Sequence, residues 1–143
     1  MTETSPDYTK VVTLPWPAKP LHSNYRGHWA AVADAKAKAR KDAFFAACEA
    51  PRIACIPDAV IFIEYYPPTK RGDIHNVPTS LKAYIDGIAD AMGCDDKGFR
   101  VDYPREWAGS GKPGKVVFRI KAPLRQSYAD LHAKIIPLKG EIS

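Results

Sequence analysis

Hydrophobic and polar positions divide the chain into short elements of both kinds. Val11 to Leu14 reads as a short strand, and Pro15, Pro17 and Pro20 then hold an extended loop to about Gly27, because proline fixes φ and offers no N–H to a ladder. Residues 1–10 read as a frayed, disordered lead-in. From His28 to Ala50 the chain is rich in Ala, Lys and Arg and has no internal Pro or Gly, which predicts a helix of about six turns that stops before Pro51. Trp29, Ala33, Ala37, Phe44 and Cys48 recur at helical spacing and are expected on its packed side.

Ala59 to Tyr66 (AVIFIEYY) is β-branched and aromatic, as expected of a strand buried on at least one face, and Pro67-Pro68 stops it. A polar loop, Thr69 to Ser80, leads into Leu81 to Gly93, where Leu81, Ile85, Ile88 and Met92 keep a spacing of three or four. They predict a second helix closed by Gly93, with Lys82, Asp86 and Asp90 stacked along its other side. Phe99 to Trp107 then reads as a strand, 109–115 as a flexible turn, and Lys115 to Lys121 as a last strand paired with the previous one in a hairpin. A short amphipathic helix is expected over Ser127–Ile136. The order β-α-β-α-β-β, with no repeat and no linker, predicts one α+β domain over residues 1–143, two main helices lying on a mixed sheet.

Composition narrows the function classes. With 143 residues, 45% of them hydrophobic, the chain can bury a core without staples. Cys48, Cys55 and Cys94 are odd in number and contain no C-x-x-C pair, so they read as small core residues in a reducing cytoplasm. The longest strongly apolar run, Ala59 to Ile63, is far too short to span a bilayer, and Met1 to Lys10 does not resemble a signal peptide. A net charge of +5 favours an anionic partner. Residues 19–41 hold six Lys or Arg against one acid, Asp34.

Against this basic background one region is acidic: Asp73, His75 and Asn76 precede the second helix, Asp86 and Asp90 lie on it, and Asp95-Asp96 follow it. Clustered carboxylates repel one another, so they mark either a solvated surface or a bound cation. For Asp73, Asn76 and Ser80 the simpler role is helix capping and turn formation. Lys70 and Arg71 beside the same loop add the other half of a magnesium nuclease, basic residues for the phosphate backbone.

The stretch R71-G-D-I-H-N76 followed by L81-K-A-Y-I-D-G-I-A-D-A-M-G-C-D-D96 resembles the core signature of RusA-type Holliday junction resolvases, endodeoxyribonucleases of phages and prophages. L14-P-W-P-A-K-P-L21 and N24-Y-R-G-H-W29 are similar to that family's amino-terminal segment, so the resemblance covers about residues 11–121. It implies a small homodimeric α+β nuclease that nicks four-way DNA junctions symmetrically with Mg2+ or Mn2+, leaving 5'-phosphate and 3'-hydroxyl ends. The family's metal-binding acids would fall on Asp73 and the Asp95-Asp96 pair, with Asp96 preferred, and its helix lysine on Lys82. One position departs: His75 stands where D-x-D-N has its second aspartate. Histidine can ligate a metal or act as a base without supplying negative charge, which shifts preference from magnesium toward manganese.

The catalytic candidates are therefore Asp73, His75, Lys82 and Asp96, and the metal ligands Asp73, His75, Asp95 and Asp96, with Asp86 and Asp90 in supporting roles. DNA contacts are expected from Lys19, Asn24, Arg26, His28, Lys36, Arg40, Lys70, Arg71 and Asn76, whereas Trp16, Trp29 and Trp107 fit core or dimer-interface positions. Phe44, Phe45, Tyr65 and Tyr66 are the apolar residues left for a dimer interface. Two competing readings are a branched or single-stranded nucleic-acid-binding domain without catalysis and a metal-dependent hydrolase of small phosphoesters.

Overall fold

The computed structural model describes residues 4–49 and 55–123. Within them the chain forms one small α+β domain: β1 (Thr4–Pro15), α1 (Trp29–Glu49), β2 (Val60–Tyr66), the single helical turn α2 (Val77–Ser80), α3 (Lys82–Met92), β3 (Arg100–Asp102) and β4 (Lys115–Pro123). Short 3-10 turns cover Lys19–Leu21, Ile74–Asn76 and Asp96–Gly98. The helix expected over Ser127–Ile136 lies outside the described residues.

The four strands make a mixed sheet in the order β1-β4-β2-β3. β4 runs antiparallel to both β1 and β2, while β3 runs parallel to β2. This corrects the expected hairpin between the last two strands. β4 carries buried Val116, Val117, Phe118, Ile120 and Ala122, a near-continuous apolar run that suits a central strand. β3 is three residues long with two of them exposed, a pattern that suits an edge. β1 also begins earlier than expected, at Thr4, with an irregularity in register between Thr4 and Thr9.

Register explains the core. Val12 lies opposite Phe118 and Leu14 opposite Val116, while Ile61, Ile63 and Tyr65 of β2 face Ile120, Phe118 and Val116 from the other side. All are buried, and they pack in one cluster with Leu81 just before α3, with Tyr84, Ile85, Ile88 and Met92 of α3, and with Ala39, Ala43 and Ala47 of α1. The stripe expected on α3 is thus the one that packs. Tyr84 meets Phe118 edge-on at 6.1 Å and donates its hydroxyl to the Pro15 carbonyl at 2.8 Å, fastening α3 to the end of β1.

On α1 the packed side is not the expected one. The buried positions are Ala39, Ala43 and Ala47, whereas Trp29 is 75% exposed and Ala33, Ala37 and Cys48 are exposed. The reason is a close helix crossing: a Cβ on Gly87 of α3 would stand 2.2 Å from the Arg40 carbonyl oxygen and 2.8 Å from the Ala43 Cβ. Only small side chains allow that approach, so at the crossing α1 presents Ala39, Ala43 and Ala47. Tyr65, expected to be free for a dimer, is fully buried. Among the described residues no helix is long and apolar enough to cross a membrane.

Candidate functional site

Three adjoining depressions run along one side of α3. The largest, about 660 Å³, is lined by the loop after β1 (Pro20, Leu21, His22, Tyr25), by Lys36 and Arg40 of α1, and by Lys82 and Asp86 of α3. His22 and Ser80 also line a second depression of about 350 Å³, walled by Trp16 and Trp107 and edged by Lys19, Asn24, Asp73 and Asn76. At the other end Arg40 and Asp86 are shared with a third, of about 230 Å³, which holds Asp90, Cys94, Asp95 and Asp96. A groove therefore extends from Asp73 to Asp96, past Lys82.

The centre of the groove is Lys82. Its position at the start of α3 follows from the turn Val77–Ser80, in which Ser80 donates its hydroxyl to the Val77 carbonyl at 2.7 Å. Lys82 Nζ donates to Asp86 Oδ1 and to Asp96 Oδ2, both at 2.7 Å. Asp86 is one turn along the same helix, while Asp96 arrives from the 3-10 turn beyond the helix, which ends at Gly93 in a left-handed conformation with φ of 75°. These bonds to Asp86 and then Asp96 raise the Lys82 ammonium above its ordinary pKa, and the bond from Lys82 holds the Asp96 carboxyl below its own. Lys82 and Asp96 therefore both stay charged through the neutral range. Tyr103 stands near enough for the Lys82 charge to act on it, although burial dominates and pushes its phenol up.

Asp90, one turn beyond Asp86, serves a different partner. Arg40 of α1 grips it with two bonds, Nε to Oδ2 at 2.6 Å and Nη2 to Oδ1 at 2.9 Å. The pair joins the two helices beside the Gly87 contact and pulls the Asp90 carboxyl below its ordinary pKa. Arg40 was expected to face DNA; its guanidinium instead holds Asp90, and lines two of the three depressions.

Asp73 and Asp95 share a local role. Each stands just before a 3-10 turn and accepts the backbone N–H two residues on, Asp73 from His75 and Asp95 from Lys97, both at 3.0 Å. The capping role read from the sequence is thus filled by Asp73, not by Asn76, whose side chain makes no capping bond. Asp73, His75, Asp95 and Asp96 do not converge: among the described residues no three His, Cys, Asp or Glu side chains stand together as a metal-binding group. What does converge is Asp86 with Asp96.

Of the expected DNA contacts, Lys19, Asn24, Lys36 and Asn76 line the groove. Arg26, Lys70 and Arg71 are exposed outside its lining. His28 accepts the Ala30 N–H at 3.0 Å and stacks on Trp29, capping α1. Trp16 and Trp107 pack edge-on at 6.3 Å against the core, as expected, yet also wall the groove. Sequence reasoning missed His22, Tyr25 and Tyr103, which lie in loops or at an edge where no periodicity signals them.

The chain is 36% identical over 121 residues to an uncharacterized protein of Xylella fastidiosa, the match covering 81% of this chain and 78% of that protein. The chain belongs to the family of this Xylella protein. Identity of this extent carries the fold to the Xylella relative and gives neither chain an activity. No family model matches the chain.

Proposed function

We propose that the chain is a metal-dependent endonuclease of branched DNA, of the RusA type, that hydrolyses phosphodiester bonds of four-way junctions. The observation that carries the reading is the convergence of Asp86 and Asp96 on the Lys82 ammonium in the middle of a groove on a basic protein. Two carboxylates facing one cation suit Mg2+, which keeps several waters and needs only one or two carboxylates. Asp86 and Asp96 would hold the ion, and Asp73, with one carboxylate oxygen outside its capping bond, is the carboxylate at the far end of the same groove. His75 lies beside it and Asp95 beside Asp96. When bound, the ion supplies polarisation of the phosphate and a water of lowered pKa.

The chain's own residues have separate tasks in this reading. Lys82, released from one of its carboxylates, donates to a non-bridging phosphate oxygen, where negative charge grows during displacement. Lys19 and Lys36 along the groove, with Arg26, Lys70 and Arg71 outside it, hold flanking phosphates and make binding strongly salt-dependent. A junction has two equivalent scissile strands, which suits a two-fold homodimer with one groove per subunit. Trp29 and Phe45, both more than half exposed on α1, offer apolar surface to such a dimer.

The test is cleavage of a labelled, mobile four-way junction against linear duplex of the same sequence, with Mg2+, Mn2+ or chelator. Paired nicks at the crossover that need the metal are expected. Tight, salt-sensitive binding without nicks in any metal would leave a branched-DNA-binding protein in place of a nuclease.

A further inference from the structure

The cysteines do not sit where their composition suggested. Cys48 and Cys55 are exposed instead of lying in the core, and only Cys94, partly buried, packs against it. Two of them come together because the segment leading into β2 and the segment leaving α3 run side by side. Cys55 Sγ lies 3.9 Å from the Gly93 carbonyl oxygen, the residue before Cys94. A Cβ on Gly98 would stand 2.4 Å from the Pro57 carbonyl oxygen, so the two backbones touch there. Further on, Arg100 N–H donates to the Ala59 carbonyl at 2.9 Å and opens the parallel ladder of β2 with β3. The Cys55 sulfur is therefore placed beside the backbone that leads straight into Cys94. Cys94 also lines the acidic end of the groove, next in sequence to Asp95 and Asp96.

We propose that Cys55 and Cys94 form a redox modification site: a reversible disulfide, made by exchange with a low-molecular-weight disulfide, that ties the Asp95-Asp96 turn to the start of β2. The exposed Cys55 reacts first. Its thiol gives up a proton, its sulfur attacks one sulfur of the small disulfide, and one small thiol leaves with a proton. Cys94, adjacent on the neighbouring segment, then attacks the Cys55 sulfur, loses its own proton, and releases the second small thiol. Two protein thiols become one disulfide and one small disulfide becomes two thiols, so electrons and hydrogens balance. Cys48 is exposed on α1 and should react only with the small molecule.

The experiment equilibrates the full chain with glutathione buffers of rising oxidised-to-reduced ratio, blocks free thiols, and maps disulfides by mass spectrometry without reduction. A peptide joining Cys55 to Cys94 is expected, lost again on adding dithiothreitol. A C94S variant should instead accumulate glutathione on Cys55. Glutathione adducts on Cys55 of the unaltered chain with no joined peptide at any ratio would overturn the proposal, as would a joined peptide that involves Cys48 instead. The measurement reads covalent state, so it stands or falls independently of the nuclease reading.

Discussion

Asp73 and Asp96 lie at opposite ends of one groove and spend their charge in opposite ways. Asp73 accepts from the backbone N–H of its own loop, a bond that an uncharged oxygen could also accept. Asp96 shares the Lys82 ammonium with Asp86, a side-chain ion pair at each carboxylate. A carboxylate satisfied by a backbone N–H shapes a loop. A carboxylate that depends on a mobile side-chain cation keeps a ligand position that another cation can take. In the proposed reading the reactive centre therefore lies at the Lys82 end, and the Asp73 end is its shaped wall, with a carboxylate oxygen to spare.

The sharpest way to break this assignment is Asp96→Asn. The amide keeps the shape of the side chain but removes the charge that holds Lys82 and would hold a metal. Junction cleavage should fall by about 100-fold or more, the scale of losing an electrostatic contact to the reacting group, while junction binding in chelator is unchanged. Equal cleavage by the variant would remove Asp96 from the chemistry and with it the basis of the comparison.

At the other end Asp73→Asn and Asp73→Ala separate cap from charge. The asparagine oxygen still accepts the His75 N–H, so its melting temperature should match the unaltered chain, while cleavage drops by about 10-fold, within the range for a group supporting a metal site. The alanine also loses the cap, costing about 1 kcal/mol in stability, read by denaturant unfolding. A fall in cleavage as deep for Asp73→Asn as for Asp96→Asn would make the two ends equal partners.

The contrast also shows what the sequence could tell. The spacing of Leu81, Ile85, Ile88 and Met92 and the stop at Gly93 were legible because periodicity and a glycine cap act locally, and the Lys82–Asp86 pair followed from its spacing of four. The packed side of α1 was not legible. Which face of an alanine-rich helix turns inward is decided by its neighbour, and Gly87, 44 positions after Ala43, admits the close approach. The place of β4 between β1 and β2 was hidden for the same reason, since the last two strands look like a hairpin until three strands compete for one partner. The pairing of Asp96 with Lys82, and of Arg40 with Asp90, depends on tertiary placement that spacing does not encode.

A finer test changes the metal rather than the rate. His75→Asp adds a second carboxylate beside Asp73 and should raise cleavage in Mg2+ relative to Mn2+ by several-fold, because magnesium favours oxygen ligands. The ratio of initial rates in the two metals measures it. An unchanged ratio would place His75 outside the metal's reach and sharpen the view that this end of the groove only shapes the site.

The smallest effect concerns Asp90, the carboxylate on α3 that faces the neighbouring helix instead of the groove centre. Arg40 holds its folded-state pKa below the ordinary carboxylate value, so the pair's contribution to stability is present above that value and is lost as pH falls through the depressed one. The Asp90→Asn variant should therefore melt slightly lower than the unaltered chain at pH 7 and converge with it in acid below both values. The gap is small because both side chains are largely exposed, at 54% and 40%, and it should narrow further in high salt. Cleavage should hardly change, since Lys82 keeps Asp86 and Asp96. A gap that persists in acid would show that Asp90 acts through packing, and a large loss of cleavage would extend the reactive centre one helical turn beyond Asp86.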